Sequence, residues 1–132
     1  MLDATHSSGL RGQRYIAYAR CAARQGSTPK LRQQIRLIRQ FGDHLGMRCV
    51  GEVRIAGVSG FTPPLRPDLR RLLTRKRQKD DFDVLIAVDH ARVTRTAIAR
   101  IAALFAISGV RIVYLTEWHA NGTAMHHRMA QG

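Results

Sequence analysis

Val84-Leu85-Ile86-Ala87-Val88 is the stretch that decides the fold. It is continuously apolar, with no polar residue alternating in. Such a run suits a strand covered on both faces, as in a parallel sheet. A strand is therefore expected over 82–88. Working back, Arg48 to Ile55 gives a strand centred on Cys49-Val50 and Val53. A loop over 57–67 follows, carrying Gly57, Gly60, Pro63, Pro64 and Pro67. Pro67-Asp68 then suits a helix start, with Leu69, Leu72 and Leu73 as its apolar side, fading in the charged run Arg75 to Asp81. Earlier still, Arg14 to Arg20 reads as a buried strand. Gly26-Ser27-Thr28-Pro29 reads as a turn into a helix, with Thr28 as cap and Pro29 at the first helical position. Leu31, Ile35, Ile38, Phe41 and Leu45 keep helical spacing until Gly46 ends the run.

Forward of the deciding stretch, Thr94 or Thr96 can cap a further helix with the stripe Ile98, Ile101, Ala102 and Phe105, ended by Gly109. Val110 to Leu115 is a fourth strand. The order β-α-β-α-β-α-β predicts an α/β fold: a single three-layer domain around a mainly parallel four-stranded sheet. The expected organisation is a flexible arm over 1–13, the domain over 14–117 and a polar tail over 118–132.

The 132 residues fit one domain, and 45% hydrophobic content supplies a core. Cys21 and Cys49 make neither a disulfide framework nor a zinc cluster, which points to a reducing, cytoplasmic setting. The N-terminus lacks an apolar signal core, and no run is long enough to cross a bilayer. No membrane partner and no small-molecule cofactor are expected. The charge is the strongest bulk clue: Lys+Arg 22 against Asp+Glu 9, a net +13, nearly all from arginine. Guanidinium forks onto phosphate oxygens and stays charged, so a polyanion such as DNA is the expected partner. A merely solubilising surface is the competing explanation.

In an open parallel sheet, sites form outside the carboxyl ends of the strands. Arg20 closes the first strand, Arg66 lies in the loop after the second, and Arg92 and Arg95 follow the third. Converging there, they would suit a phosphate, which needs bidentate donors and stabilisation of developing charge. Alternatively, some of them only cap helices or pair with Asp68 and Asp89. The run Arg70-Arg71, Arg75-Lys76-Arg77, Lys79 either tracks a DNA backbone or is a solvated helix face. His119, His126 and His127 lack partners at ligand spacing, so no metal is expected. Trp118 and Tyr114 are expected to pack against the sheet edge rather than stack on bases.

These residues also carry a family resemblance. Tyr18-Ala19-Arg20-Cys21-Ala22-Ala23 is similar to the Tyr-x-Arg-Val-Ser-Thr opening of serine recombinases of the resolvase/invertase type. Leu31-x-x-Gln34, Gly57-Val58-Ser59-Gly60, Arg66-Pro67-x-Leu69, Arg92-Val93-Thr94-Arg95, Gly109-Val110 and Leu115-Thr116-Glu117 resemble later family motifs in the same order. The resemblance implies a resolvase-like catalytic domain, whose serine attacks a DNA phosphodiester while arginines clamp the phosphate. Arg20, Arg66, Arg92 and Arg95 would be those catalytic residues, and they would contact DNA together with Arg70 and Arg71.

The chain departs from that pattern. Ala22 stands at the nucleophile position, and a methyl group cannot attack phosphorus. Acids common in the family are replaced by Ala91, Ile55 and Ala56. The long helix and DNA-reading domain that follow the last strand in the family have no counterpart in residues 118–132. Cys21 is expected to face away from the site, since neighbouring strand residues alternate. Ser27, Thr28 and Ser59 are better explained by capping and turns. The expectation is a non-cleaving, recombinase-derived DNA-binding protein related to strand exchange. The competing functions are a nucleic-acid-binding module or regulator of an active recombinase, working with that partner or as a self-dimer, and an active recombinase domain using an unexpected nucleophile.

Overall fold

β1 (Arg14–Cys21) runs through the middle of the molecule, with every residue from Tyr15 to Ala19 fully buried. A computed structural model of the chain describes residues 9–58 and 65–118. β1 is flanked by β2 (Arg48–Ala56) and β3 (Val84–Ala87), and β4 (Arg111–Tyr114) completes the sheet. The order is β2-β1-β3-β4 and each pairing is parallel, so the expected four-stranded parallel sheet is what forms.

Helices cover both faces. α1 (Ser27–His44) packs Leu31, Ile35, Ile38 and Phe41 onto Tyr15, Ala17, Ala19, Cys21, Val84 and Ile86. The opposite face carries α2 (Pro67–Lys79), a short α3 (His90–Val93) and α4 (Ile98–Ile107). There Leu69, Leu72, Val93, Ile101 and Phe105 close on Ile16, Tyr18, Leu85 and Ala87. Each buried aliphatic side chain adds roughly 1.5–3 kcal/mol. These two apolar layers are why β1 and β3 are apolar without alternation.

Several local expectations shift. Ser27, with its hydroxyl donating to the Arg24 carbonyl at 2.9 Å, begins α1, so Thr28 and Pro29 lie inside the first turn. α2 ends at Lys79, inside the charged run Arg75 to Asp81 as expected, and there Arg75 reaches Asp81 at 2.8 Å and Lys76 reaches Asp80 at 2.5 Å, tying its last turn to the loop. Neither Thr94 nor Thr96 caps α4. Thr94 follows α3, and its hydroxyl donates to the Thr96 carbonyl and accepts from the Thr96 amide. The position before α4 is held by Ala97 in the left-handed region. Ile98 is exposed, so the buried side of α4 is Ile101 and Phe105.

Residues 9–13, assigned from sequence to the arm, pack onto the domain. Leu10 is fully buried, and the Gly12 amide donates to the Gly46 carbonyl at 2.8 Å. Gly46 itself lies at φ +73, as expected of the glycine that ends α1. The rest of the arm and the tail beyond Trp118 lie outside the described residues.

The chain leaves β1 through α1 toward β2, and leaves β3 through α3 and α4 toward β4. These departures are in opposite directions. The carboxyl ends of β1 and β3 therefore flank the topological switch point, where an open α/β sheet has its crevice.

Candidate functional site

Arg20 is the last-but-one residue of β1 and only 2% exposed. By strand alternation it shares a face with Ile16 and Tyr18, while Cys21 points into the α1 layer. Burying a guanidinium requires that its donors find acceptors. Arg20 meets this with backbone carbonyls: Nε donates to Arg92 at 2.8 Å, Nη1 to Val58 at 2.6 Å, and Nη2 to Ala91. It thus ties the loop after β2 and the segment after β3 to the end of β1. Its own backbone is gripped by the Gln34 side chain. Gln34 Oε1 accepts from the Arg20 amide at 3.2 Å, and Nε2 donates to the Arg20 carbonyl at 3.1 Å.

Arg66 immediately precedes α2 and is 3% exposed. Its Nε donates to Asp68 Oδ1 at 3.0 Å and its Nη2 to the Tyr18 hydroxyl at 2.6 Å. The Tyr18 hydroxyl in turn donates to Asp68 Oδ2. Burial, then the Asp68 carboxylate, pushes the Tyr18 hydroxyl pKa up, so it stays a neutral donor. Burial opposes the Arg66 charge, but Asp68 and Tyr18 outweigh it and the net shift is upward. Arg66 Nη1 is buried with no partner among the described residues.

Arg92 lies in α3, partly exposed. Its Nη1 approaches the Arg20 carbonyl at 3.4 Å, and its Nε stands 3.9 Å from Asp89, an ion-pair contact too long for a hydrogen bond. Arg95 is exposed. Burial first, and then the Arg66, Arg92 and Arg95 charges, lower the Arg20 pKa. The expected arginines are thus close enough to feel one another's charge. They are not equivalent. Arg20 and Arg66 spend most of their donors inside the protein, and the alternative that some of these arginines pair with Asp68 and Asp89 holds for Arg66 with Asp68 and, more loosely, for Arg92 with Asp89. Arg92 and Arg95 reach solvent.

Ala22 follows β1 directly and is exposed. Its methyl carries no proton to give up and no lone pair to attack with. Ser27 is buried in its turn and Cys21 is 5% exposed on the far face. Ser59 lies outside the described residues. Gly57, after β2, sits at φ +76, and a Cβ there would come 2.7 Å from the Arg24 side chain, so the loop there favours glycine.

Sequence reasoning did not assign Gln34 or Tyr18 a role in holding the site. For Gln34 a signal existed: a polar residue standing in the apolar stripe of Leu31, Ile35 and Ile38. The carbonyls of Val58, Ala91 and Arg92 had no such signal, because a backbone acceptor leaves no mark on residue type. Trp118 packs edge-on to Phe41, ring centroids 6.0 Å apart, and Arg111 stands over its ring at 5.5 Å. Tyr114 meets His90 edge-on at 6.4 Å. No group of metal-ligating side chains occurs among the described residues, and His119, His126 and His127 lie outside them. No helix among the described residues is long and apolar enough to cross a membrane.

Comparison with known proteins agrees with this architecture. The C-terminal catalytic domain of ISC1926 TnpA, described as an IS607-like serine recombinase, superposes with a TM-score of 0.67 at 24% identity, over 87% of this chain and 75% of that one. The N-terminal catalytic domain of TP901-1 integrase gives 0.68 at 18% identity, over 90% and 93%. A resolvase family site-specific recombinase from Streptococcus pneumoniae gives 0.64 at 21%, over 90% and 84%. At these identities the likeness establishes the fold. No curated protein sequence matches the chain. The family described as "Resolvase, N terminal domain" matches residues 15–131, which takes in β1, the switch-point arginines and the residues beyond Trp118. The chain therefore belongs to the resolvase N-terminal domain family.

Proposed function

We propose that this domain binds DNA through phosphate contacts at the switch-point edge without cutting it, as a recombinase-derived protein that has lost its nucleophile. The observation that carries the reading is Ala22: the residue that follows the arginine-bearing strand is exposed and chemically inert. Around it the positive charge is retained. Arg92 and Arg95 reach solvent, and Arg20 and Arg66 stand behind them. A cluster of guanidiniums favours a phosphodiester whether or not a nucleophile is present. Removing the nucleophile abolishes covalent chemistry and leaves the electrostatic grip. The solved structures described as serine recombinases, and the family match, support descent from site-specific recombination. A role beside an active recombinase, or as a self-dimer, is compatible with that descent.

The test is Ala22→Ser on this chain, incubated with duplex DNA and run on a denaturing gel. The reading expects a covalent protein–DNA adduct from the serine variant and none from the unmodified chain. A well-folded serine variant that forms no adduct would count against a site intact but for its nucleophile.

A further inference from the structure

We infer that the solvent face of α2 is a second docking surface, for the backbone of double-stranded DNA continuing away from the switch-point edge. This rests on the DNA-binding reading above and adds where the duplex runs. α2 buries Leu69 and Leu72 against the sheet and turns Arg70, Arg71, Arg77, Gln78 and Lys79 to solvent. Along that face lies a shallow groove of about 390 Å³ walled by Pro67, Arg70, Arg71, Thr74, Arg75, Gln78 and Lys79. A second hollow, of about 470 Å³ and floored by Ile55, Val58 and Leu65, reaches from Arg66 and Asp68 to the same Pro67, Arg70 and Arg71. The two share a wall, so the switch-point edge opens onto the α2 face without a break.

The charges on this face are not equally available. Arg75 and Lys76 are neutralised by Asp81, Asp80 and Asp83. Of the other cations lining the groove, Arg71 makes no ion pair or side-chain hydrogen bond among the described residues, Arg70 donates only to the Leu65 carbonyl at 3.2 Å, and Lys79 is attracted by Asp81 without forming an ion pair. These cations, with the neutral donors Thr74 and Gln78 between them, form a phosphate-contacting surface, since hydroxyl and amide side chains also bond phosphate oxygens. The residue types select the kind of polyanion. No aromatic residue occurs in α2, so bases have nothing to stack on, which disfavours single strands. Its leucines are turned inward, so it offers a lipid surface no apolar face to insert. A duplex backbone fits what remains.

The experiment compares the unmodified chain with the triple variant Arg70→Gln, Arg71→Gln, Lys79→Gln, all three on the groove wall. Both are titrated with a random-sequence duplex, and with single-stranded DNA of the same length, across a salt series. A matched melting temperature confirms that the exposed substitutions leave the fold intact. Three lost phosphate contacts should flatten the plot of log affinity against log salt for the duplex by about 2.7, regardless of sequence. An unchanged slope, with duplex binding otherwise intact, overturns the α2 surface and leaves the switch-point reading standing. An equal loss on single strands overturns the assignment to a duplex. No binding by the unmodified chain at low salt overturns both readings together.

Discussion

Arg66 and Arg71 lie little more than one helical turn apart, yet the fold uses them in opposite ways. Arg66 is buried at the start of α2, paired with Asp68 and bonded to Tyr18. Arg71 is exposed on the same helix with no partner among the described residues. The difference lies in the acceptors within reach. Where carbonyls and a carboxylate surround it, a guanidinium becomes a structural cross-link. Where only solvent does, it remains a free charge that a polyanion can use. The buried arginines should therefore govern stability, and the exposed ones affinity for DNA.

The strongest way to break this comparison is at Arg20. Arg20→Met removes the donors to the Val58, Ala91 and Arg92 carbonyls and leaves buried acceptors unmatched. A loss of about 3–5 kcal/mol is expected in urea unfolding; a loss below about 1 kcal/mol would show that Arg20 is no cross-link. Next is Asp68→Asn, which leaves the Arg66 charge buried without its counter-charge. About 3 kcal/mol of destabilisation is expected, and the double variant Asp68→Asn with Arg66→Met should recover part of it. Failure of the second change to recover anything would mean that Asp68 does not serve Arg66. Gln34→Leu should cost about 1–3 kcal/mol, because the Arg20 amide and carbonyl both lose their bonds to the Gln34 side chain. Arg77→Gln, by contrast, should leave the melting temperature nearly unchanged.

The smallest expected effect concerns acid. The Asp83 pKa is depressed to about 2, first by the hydrogen bond from Arg14 and further by Lys76. A depressed carboxylate contributes stability that is present above its unfolded value of about 4 and is lost as pH falls through about 2. Asp83 is partly exposed, so solvent and salt screen the pair. Replacing Asp83 with Asn should remove a small, salt-sensitive slope of stability between about pH 4 and pH 2 and change nothing at pH 7 beyond a constant offset. An unaltered acid slope would place that sensitivity elsewhere.

Much of this was legible in the residues. The unbroken apolar runs of β1 and β3 state that both sheet faces are covered, and the spacing of Leu31, Ile35 and Ile38 states which side of α1 does the covering. The edge at which Arg20, Arg66 and Arg92 gather follows from strand order alone. The starts of α1 and α4 were less legible. Thr28, Thr94 and Thr96 are good capping types, but α1 starts at Ser27 after a left-handed Gly26, and α4 starts after a left-handed Ala97, turns that side-chain capping chemistry does not announce. α3 is only His90–Val93 and has no room for a periodic signal. The division of labour among the arginines was hidden for a different reason: it depends on backbone carbonyls, which every residue carries. Asp68 could be read from sequence as an ordinary acid in a first helical turn, and only the fold brings Tyr18 against it.

A phosphate grip kept without the chemistry is tested most directly by incubating the unmodified chain with labelled duplex across a salt series and running each sample on native and denaturing gels. The expected result is a retarded band that weakens steeply with salt, and no adduct after denaturation. A covalent adduct, or no retarded band at the lowest salt, would contradict it.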